Sequence, residues 1–306
     1  KEGDRGFKVK AEDTYGYITI STLPVTYKTI PGPSLTLTES TIFAGTDAKK
    51  GVPVQIESVR GVHEVVIYRI ENGSEVEALR ETKNGEHTLN YAPEIDFTEA
   101  TSKLKVVVSD GREGKEAIGY MKAYVNMDVA TLNVGSQPLA NNAHVKYPDA
   151  FGMVSLNDLK TYSVDYAIAN EVNAKNVDFK FYCFGAAGSP RLYSMDNTGK
   201  DGEFSGSTGK LSAIKVKNLT RFAILSNFDY ENATVASISS EILSSSIAQS
   251  LLDPIAVGNV IAFRTGGSSA AGGGRIGVMK VINITEPKEL VSNNATARVM
   301  TVEIKF

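Results

Sequence analysis

Apolar and polar positions alternate through the N-terminal part of the chain, and Val, Ile, Thr and Tyr supply most of the apolar ones. Successive side chains of a strand face opposite ways, so this alternation predicts strands with one buried face. The pattern places strands at Ser34–Thr38, Val52–Ile56 and His63–Ile70. Asn72-Gly73 follows the third, and Asn-Gly suits a two-residue hairpin because both residues tolerate positive φ. A second Asn-Gly, Asn84-Gly85, precedes a strand at His87–Tyr91. Leu104–Val108, a turn at Asp110-Gly111 and Ile118–Val125 complete the series.

Several short strands with regular turn signals, over about 100 residues, fit an Ig-like β-sandwich, assigned to 31–128. The single cysteine and the absence of tryptophan rule out the disulfide and buried Trp of a true immunoglobulin domain. A partial internal repeat accompanies it. Phe7–Asp13 parallels Leu104–Asp110, each an alternating strand running into an Asp-containing turn and a second strand, Tyr17–Tyr27 in one copy and Ile118–Val125 in the other. Such a hairpin closes an Ig-like domain, so 1–30 is read either as the tail of an upstream Ig-like domain or as a hairpin docked on the sandwich that follows. Pro31-Gly32-Pro33 is a stiff punctuator between the two.

After Met127 the pattern mixes. Asn133–Pro148 holds Gly135, Pro138 and several asparagines, which predicts an exposed connection. Ser163–Val172 suits a short helix capped by Ser163. Val177–Phe184 alternates as a strand, and Leu243, Ile247 and Leu251 form a helical stripe ahead of Pro254. Strands at Val260–Arg264, Ile276–Ile284 and Arg298–Phe306 close the chain. The whole is predicted as mostly β: an Ig-like β-sandwich followed by a β-rich α+β domain at 129–306, the two folding separately and joined near 128–135. The Gly-Ser-Ala loop 266–274 buries little, so it is expected to be mobile and dispensable.

Composition narrows the function classes. The 306 residues carry a net charge of -3 and a pI near 5.8, with no basic run to attract nucleic acid. No apolar run reaches the roughly 18 residues of a membrane-spanning helix. One cysteine, Cys183, excludes an intramolecular disulfide framework and, within Phe-Tyr-Cys-Phe, reads as a packing residue. The opening Lys1-Glu2-Gly3-Asp4-Arg5 is read as the start of a trimmed mature chain.

Several motifs fail on context. Gly272–Gly277 has G-x-G-x-x-G spacing, yet a strand follows it where a dinucleotide site needs a helix. Ser207-Thr208-Gly209-Lys210 matches S-x-x-K but lies among loop residues without companion motifs. Asp196–Glu203 is rich in oxygen ligands, but Lys200 breaks the calcium-loop pattern. His63, His87 and His144 are too scattered for zinc by local spacing. No cofactor, metal or catalytic residue is assigned, and the chain is not expected to be an enzyme. Sugar recognition stacks rings on exposed aromatics; without Trp, Tyr must serve. Tyr182, Arg191, Tyr193 and Asp196 gather near a loop and are the candidate ligand-binding residues, with Tyr182 facing outward if Phe181 and Cys183 face the core.

The second region resembles a domain of Bacteroidetes cell-surface lipoproteins of unknown function that carry an N-terminal Ig-like domain. The likeness rests on Gly152–Leu156, Thr161-Tyr162-Ser163 before Ala167, Val177-Asp178-Phe179, Gly188-Ser189-Pro190, Val257–Thr265, Gly277–Val281 and Val302–Phe306. The insert at 266–274 departs from the tighter turn expected there. The resemblance implies a lipid-anchored protein at the bacterial cell surface or outer membrane, or alternatively in the periplasm, near glycan uptake or adhesion. The expected partner is a polysaccharide or an envelope protein, with no nucleic acid and with membrane contact only through a lipid anchor. A structural or adhesive scaffold is the alternative reading, and a hydrolase with an unrecognised carboxylate pair the third.

Overall fold

The computed structural model describes residues 3–27, 29–183, 188–285 and 297–306. Lys1, Glu2 and Phe184, which the sequence reading places in the opening stretch and at a strand end, lie outside the described residues. The chain divides into two compact units: Lys1–Ile42, Asp47–Asp96 and Lys103–Lys122 form one, and Phe43–Thr46, Phe97–Ser102 and Ala123–Phe306 the other.

The chain is mostly β. Strands β1 (Gly3–Glu12) and β2 (Ile18–Tyr27) form a two-stranded antiparallel sheet of their own. Asp13 opens the turn, its Oδ1 accepting the backbone N–H groups of Tyr15 and Tyr17 at 2.9 Å each.

The Ig-like sandwich has strands β3 (Ser34–Leu37), β4 (Thr41–Ala44), β5 (Lys50–Gly51), β6 (Val54–Glu57), β7 (Glu64–Glu71), β8 (Ser74–Thr82), β9 (Thr88–Tyr91), β10 (Glu94–Ile95), β11 (Thr101–Ser109) and β12 (Glu116–Val125). One sheet runs β3-β6-β9 and the other β4-β12-β11-β7-β8, with β5 and β10 paired separately. Alternation does what the sequence predicts in most strands: Val54, Ile56, Leu104, Val106, Val108 and Met121 are buried between more exposed neighbours, whereas in β7 Val65, Val66 and Ile67 are all buried. Asn72 (φ 51°) and Gly73 (φ 81°) make the β7–β8 turn, the positive-φ pair a two-residue hairpin of this twist requires. A Cβ on Gly119 of β12 would lie 3.0 Å from the side chains of Leu35 and Leu37, so this glycine lets the two sheets close on each other.

The C-terminal unit is a second, thicker sandwich. Its strands are β13 (Val129–Gly135), β14 (Met153–Ser155), β15 (Lys160–Tyr162), β16 (Phe179–Tyr182), β17 (Arg191–Ser194), β18 (Arg221–Leu225), β19 (Leu251–Leu252), β20 (Val260–Arg264), β21 (Ile276–Ile284) and β22 (Val299–Lys305). They form two sheets, β13-β22-β21-β20-β18 and β15-β14-β16-β17-β19. The core between them joins Val134, Phe222, Ile261, Phe263, Met279 and Val302 of the first sheet to Val154, Phe179, Phe181 and Leu192 of the second. Phe179 and Phe222 meet edge to face across it at 5.9 Å. Both outer faces are covered as well. Helix α3 (Val235–Ser244) lays Ile238 and Ile242 on Val260, Ala262 and Val278 of the first sheet. On the second sheet, helices α1 (Val164–Ala169) and α2 (Glu171–Lys175) join Phe204, Leu211 and Ile214 in packing against Met153, Tyr182 and Tyr193.

Four expectations are corrected. The helix expected over Ser163–Val172 is two helices. Ser163 caps the first, accepting from Tyr166 N–H, but Asn170 is extended and caps the second, accepting from Asn173 N–H. The stripe Leu243, Ile247, Leu251 is not one helical face: α3 ends at Ser244, Leu243 is 84% exposed, and Leu251 pairs with Tyr193 in a sheet. Ser244 and Ser245 turn their hydroxyls back onto Glu241, a local alternative to continuing the helix. The connection expected at Asn133–Pro148 is exposed only in part, because Asn133–Gly135 complete β13 and Gln137, Leu139 and Ala140 are buried.

The fourth correction concerns 266–274, which is docked. Ser269 is buried and donates to Asp178 Oδ1 at 2.6 Å, and Ser268 donates to Asn218 Oδ1 at 2.8 Å. Ala270 N–H donates to the Lys175 carbonyl at 2.8 Å, and Ala271 packs on the core.

Candidate binding site

Strands β16 and β17 pair in the register Lys180↔Tyr193 and Tyr182↔Arg191. Directly opposed residues share a face, so these four side chains lie on the side away from Phe179, Phe181 and Leu192. That side is the second core. Tyr182 is 6% exposed and Tyr193 4%, their rings edge to face at 6.0 Å, with Phe204 beside Tyr182. The parity expected of Tyr182 holds, but its face is covered, so neither tyrosine is an open platform for a sugar ring.

The polar ends of this cluster converge on one short turn, the 3-10 segment Asp201–Glu203. Tyr182 OH donates to Glu203 Oε2 at 2.6 Å, and Lys200 Nζ lies 2.6 Å from Glu203 Oε1. Two residues earlier on β16, the buried Lys180 ammonium donates to Asp201 Oδ1 at 2.6 Å and to the Asn197 carbonyl at 2.9 Å. Alternate residues of one strand thus clamp alternate residues of the turn. Burial pushes the Lys180 ammonium below its ordinary range, against the pull of Asp201. Burial, then the bond to Glu203, pushes the Tyr182 phenol up. Lys200, followed by Tyr182, holds the Glu203 carboxyl below its ordinary range, so it is a carboxylate at neutral pH.

Beside this turn lies a cavity of about 440 Å³ lined by Gln137, Pro138, Gly202, Glu203 and Ser205. Gln137 opens the 3-10 turn Gln137–Leu139 and is 7% exposed. Its Oε1 accepts the Cys183 backbone N–H at 3.1 Å, which fixes the amide orientation. Its Nε2 is buried and has no hydrogen-bond partner. An unpaired buried donor costs about 1–3 kcal/mol. The Gln137 side chain lines one part of the cavity and the solvent-exposed Glu203 carboxylate another.

The four residues expected to bind are only partly brought together. Tyr182, Arg191 and Tyr193 share the cluster, with the Arg191 guanidinium 6.0 Å from the Tyr182 ring and its Nε 2.8 Å from Asp253 Oδ2. Asp196 is turned elsewhere: both its oxygens take Arg221, at 2.9 and 2.7 Å, and Oδ1 also takes the Ser194 hydroxyl. Gln137, Lys200 and Glu203 were not among the expected residues.

The discarded motifs have structural uses. Ser207 and Thr208 donate hydroxyl and backbone N–H groups to Asp165, so S-x-x-K is an anchored loop. The acidic residues of Asp196–Glu203 are matched to Arg221, Lys180 and Lys200 and do not converge. Gly277 sits where a Cβ would meet Phe263, Phe306 and the Lys305 carbonyl at 2.4–2.7 Å, a packing reason for its glycine. Cys183 is buried in the central core. Among the described residues no three His, Cys, Asp or Glu side chains are grouped to hold a metal ion, and no helix is long and apolar enough to cross a membrane.

A second polar cluster lies at the opposite end of β16. Asp178 is fully buried, accepting Leu156 N–H at 2.8 Å, Ser269 OH at 2.6 Å and Asn218 Nδ2 at 3.4 Å. Burial pushes its carboxyl up to about 6 in spite of those bonds.

No family model matches the chain, and no curated protein does. Among solved structures, the N-terminal eight Ig domains of Down Syndrome Cell Adhesion Molecule isoform 1.30.30 match with a TM-score of 0.21 and 8% identity, over 91% of this chain and 35% of that one. The chain thus spans about a third of that structure.

Proposed function

We propose that the chain is a non-catalytic binding protein displayed on a bacterial cell surface. The sandwich serves as a spacer, and the C-terminal unit recognises a hydroxyl-rich ligand, a glycan, in the Gln137–Glu203 cavity. The observation that carries this reading is a cavity that sets the exposed Glu203 carboxylate with the Gln137 side chain, whose Nε2 has no hydrogen-bond partner and is covered by its neighbours. A sugar hydroxyl donates to the Glu203 carboxylate, and a turn of the Gln137 side chain that uncovers Nε2 supplies a donor to it. Lipid anchoring and export rest on the resemblance to surface lipoproteins, and an encoded precursor without an export signal would remove them.

Titration calorimetry against a panel of host and plant polysaccharides tests the site. The expected affinity is weak, with Kd about 0.1–1 mM. Gln137→Leu and Glu203→Gln are each expected to weaken it about threefold to tenfold, the worth of one hydrogen bond. Circular dichroism confirms that each variant is folded. Binding untouched by either change leaves a glycan ligand standing and moves it from this cavity.

A specific observation favours a second reading, an adhesive or protein-binding scaffold. The outer face of β12 carries Ile118 and Tyr120, 53% and 57% exposed, opposite Val107 and Lys105 of β11. Apolar residues grouped on a solvated sheet face suit a protein partner. Absence of glycan binding, with capture of an envelope protein that Ile118→Glu abolishes, would put this reading first.

A further inference from the structure

The hairpin β1–β2 stands as a two-stranded sheet, and its apolar side chains face water. Phe7 is 54% exposed, Val9 56%, Ile20 62% and Leu23 59%. A lone hairpin is marginal in water, and grouped exposed apolar residues mark a surface built to be covered. The repeat seen in the sequence says what covers it, because the pairing register carries it into three dimensions.

In the sandwich, Leu104↔Met121, Val106↔Gly119 and Val108↔Ala117 are directly opposed on β11 and β12. Leu104, Val106, Val108 and Met121 are buried there, and Gly119 approaches Leu35 and Leu37 of the facing sheet. In the hairpin, Phe7↔Leu23, Val9↔Ser21 and Ala11↔Thr19 are opposed. The order is similar along both: a large apolar pair, then Val against a small residue, then an alanine paired with a β-branched residue next to the turn. On the other face Lys8 and Ile20 stand where the sandwich has Lys105 and Ile118. Both turns begin at an aspartate whose Oδ1 accepts the backbone N–H two residues on, Asp13 from Tyr15 and Asp110 from Arg112.

We infer that β1–β2 is the closing hairpin of another Ig-like sandwich, and that the face bearing Phe7, Val9 and Leu23 packs against a facing sheet made by strands encoded N-terminal to residue 3. The order of strands dictates the source. In the sandwich, β11 and β12 come last, after every strand they pack on, so the strands that β1 and β2 pack on precede them in the chain.

Hydrogen exchange on the full encoded protein, set beside residues 1–306, tests this. Backbone amides of β1 and β2 should exchange about 100-fold more slowly in the full protein than in residues 1–306. Phe7→Asp, with the charge set in the buried face, should abolish that protection, and Lys8→Asp on the opposite face should keep it. Three results overturn the inference: equal, fast exchange in both proteins; an encoded protein with no strands upstream; or protection in residues 1–306 that grows with concentration, which would make a second copy the partner. Each leaves the Gln137 cavity untouched.

Discussion

Asp178 should make the stability of the C-terminal unit depend on pH in a direction opposite to that of a salt-bridged carboxylate. Its carboxyl is fully buried and is held by neutral donors, Leu156 N–H, Ser269 OH and Asn218 Nδ2. An ordinary aspartate titrates near 3.8 and this one near 6. Below the lower value both folded and unfolded chains are protonated there. Above the upper value both are ionised, and the folded state bears a desolvation cost of about 3 kcal/mol. Stability from this group therefore rises as pH falls through the window between the two values, by about 1.3 kcal/mol from pH 7 to pH 5. Asp178→Asn keeps the shape and removes the charge, so its profile should lack that rise. Urea unfolding of both proteins at several pH values between 4 and 8 measures the difference directly. Parallel profiles would refute the reasoning, and so would a wild type that loses stability relative to the variant on acidification. Replacing 266–274 with Asn-Gly supplies a second arm. It removes the Ser269 bond and the Ala271 packing, about 2–4 kcal/mol, so the melting temperature should fall by about 10 °C. It also opens Asp178 to water, so the same replacement should flatten the pH profile.

Lys180→Met should destabilise the C-terminal unit by about 2–4 kcal/mol in urea unfolding, because it leaves the buried Asp201 with only the more distant Lys217, at 3.5 Å, to balance it, and Lys180→Met with Asp201→Leu should recover much of the loss. Asp165→Ala releases Ser207 and Thr208 and should speed tryptic cleavage after Lys210, with little change elsewhere in the limited-proteolysis pattern. Gly277→Ala should cost about 1–3 kcal/mol by thermal denaturation, since the Lys305 carbonyl at 2.7 Å is backbone and cannot turn aside.

Strand positions were legible wherever one face meets water or a glycine punctuates the run. Val260–Arg264 and Ile276–Ile284 are strands with the expected bounds, because the glycines at 258 and 266–274 stop them cleanly. Pro53 shows the limit of that reasoning: it has no N–H to donate, so the strand expected from Val52 begins at Val54. Period counting failed where covering is tertiary. Leu243 and Ile247 have helical spacing, yet the buried face of α3 is Ile238 and Ile242, and nothing local says which apolar pair meets the sheet. The docked loop failed for a related reason. Gly, Ser and Ala bury little by themselves, but the partner of Ser269 is Asp178, remote in the sequence.

The site was harder still, because it exists through satisfied and unsatisfied hydrogen bonds between distant segments. Phe181-Tyr182 alternates as a half-exposed strand would, and only the packing of α1, α2, Phe204 and Leu211 shows that both faces are covered. A buried lysine at 180 becomes intelligible once Asp201 is placed beside it. Glu203 left a faint trace in the sequence, as the partner of Lys200 three residues earlier in a loop already notable for its oxygens. Gln137 left none. It lies in a Pro- and Asn-bearing stretch that reads as a connector, and its significance is a difference between its two amide atoms: Oε1 is taken by Cys183 and Nε2 is not. Composition cannot encode that asymmetry, since any glutamine has both atoms. It arises when β16 and the turn after β13 are brought together with one acceptor too few.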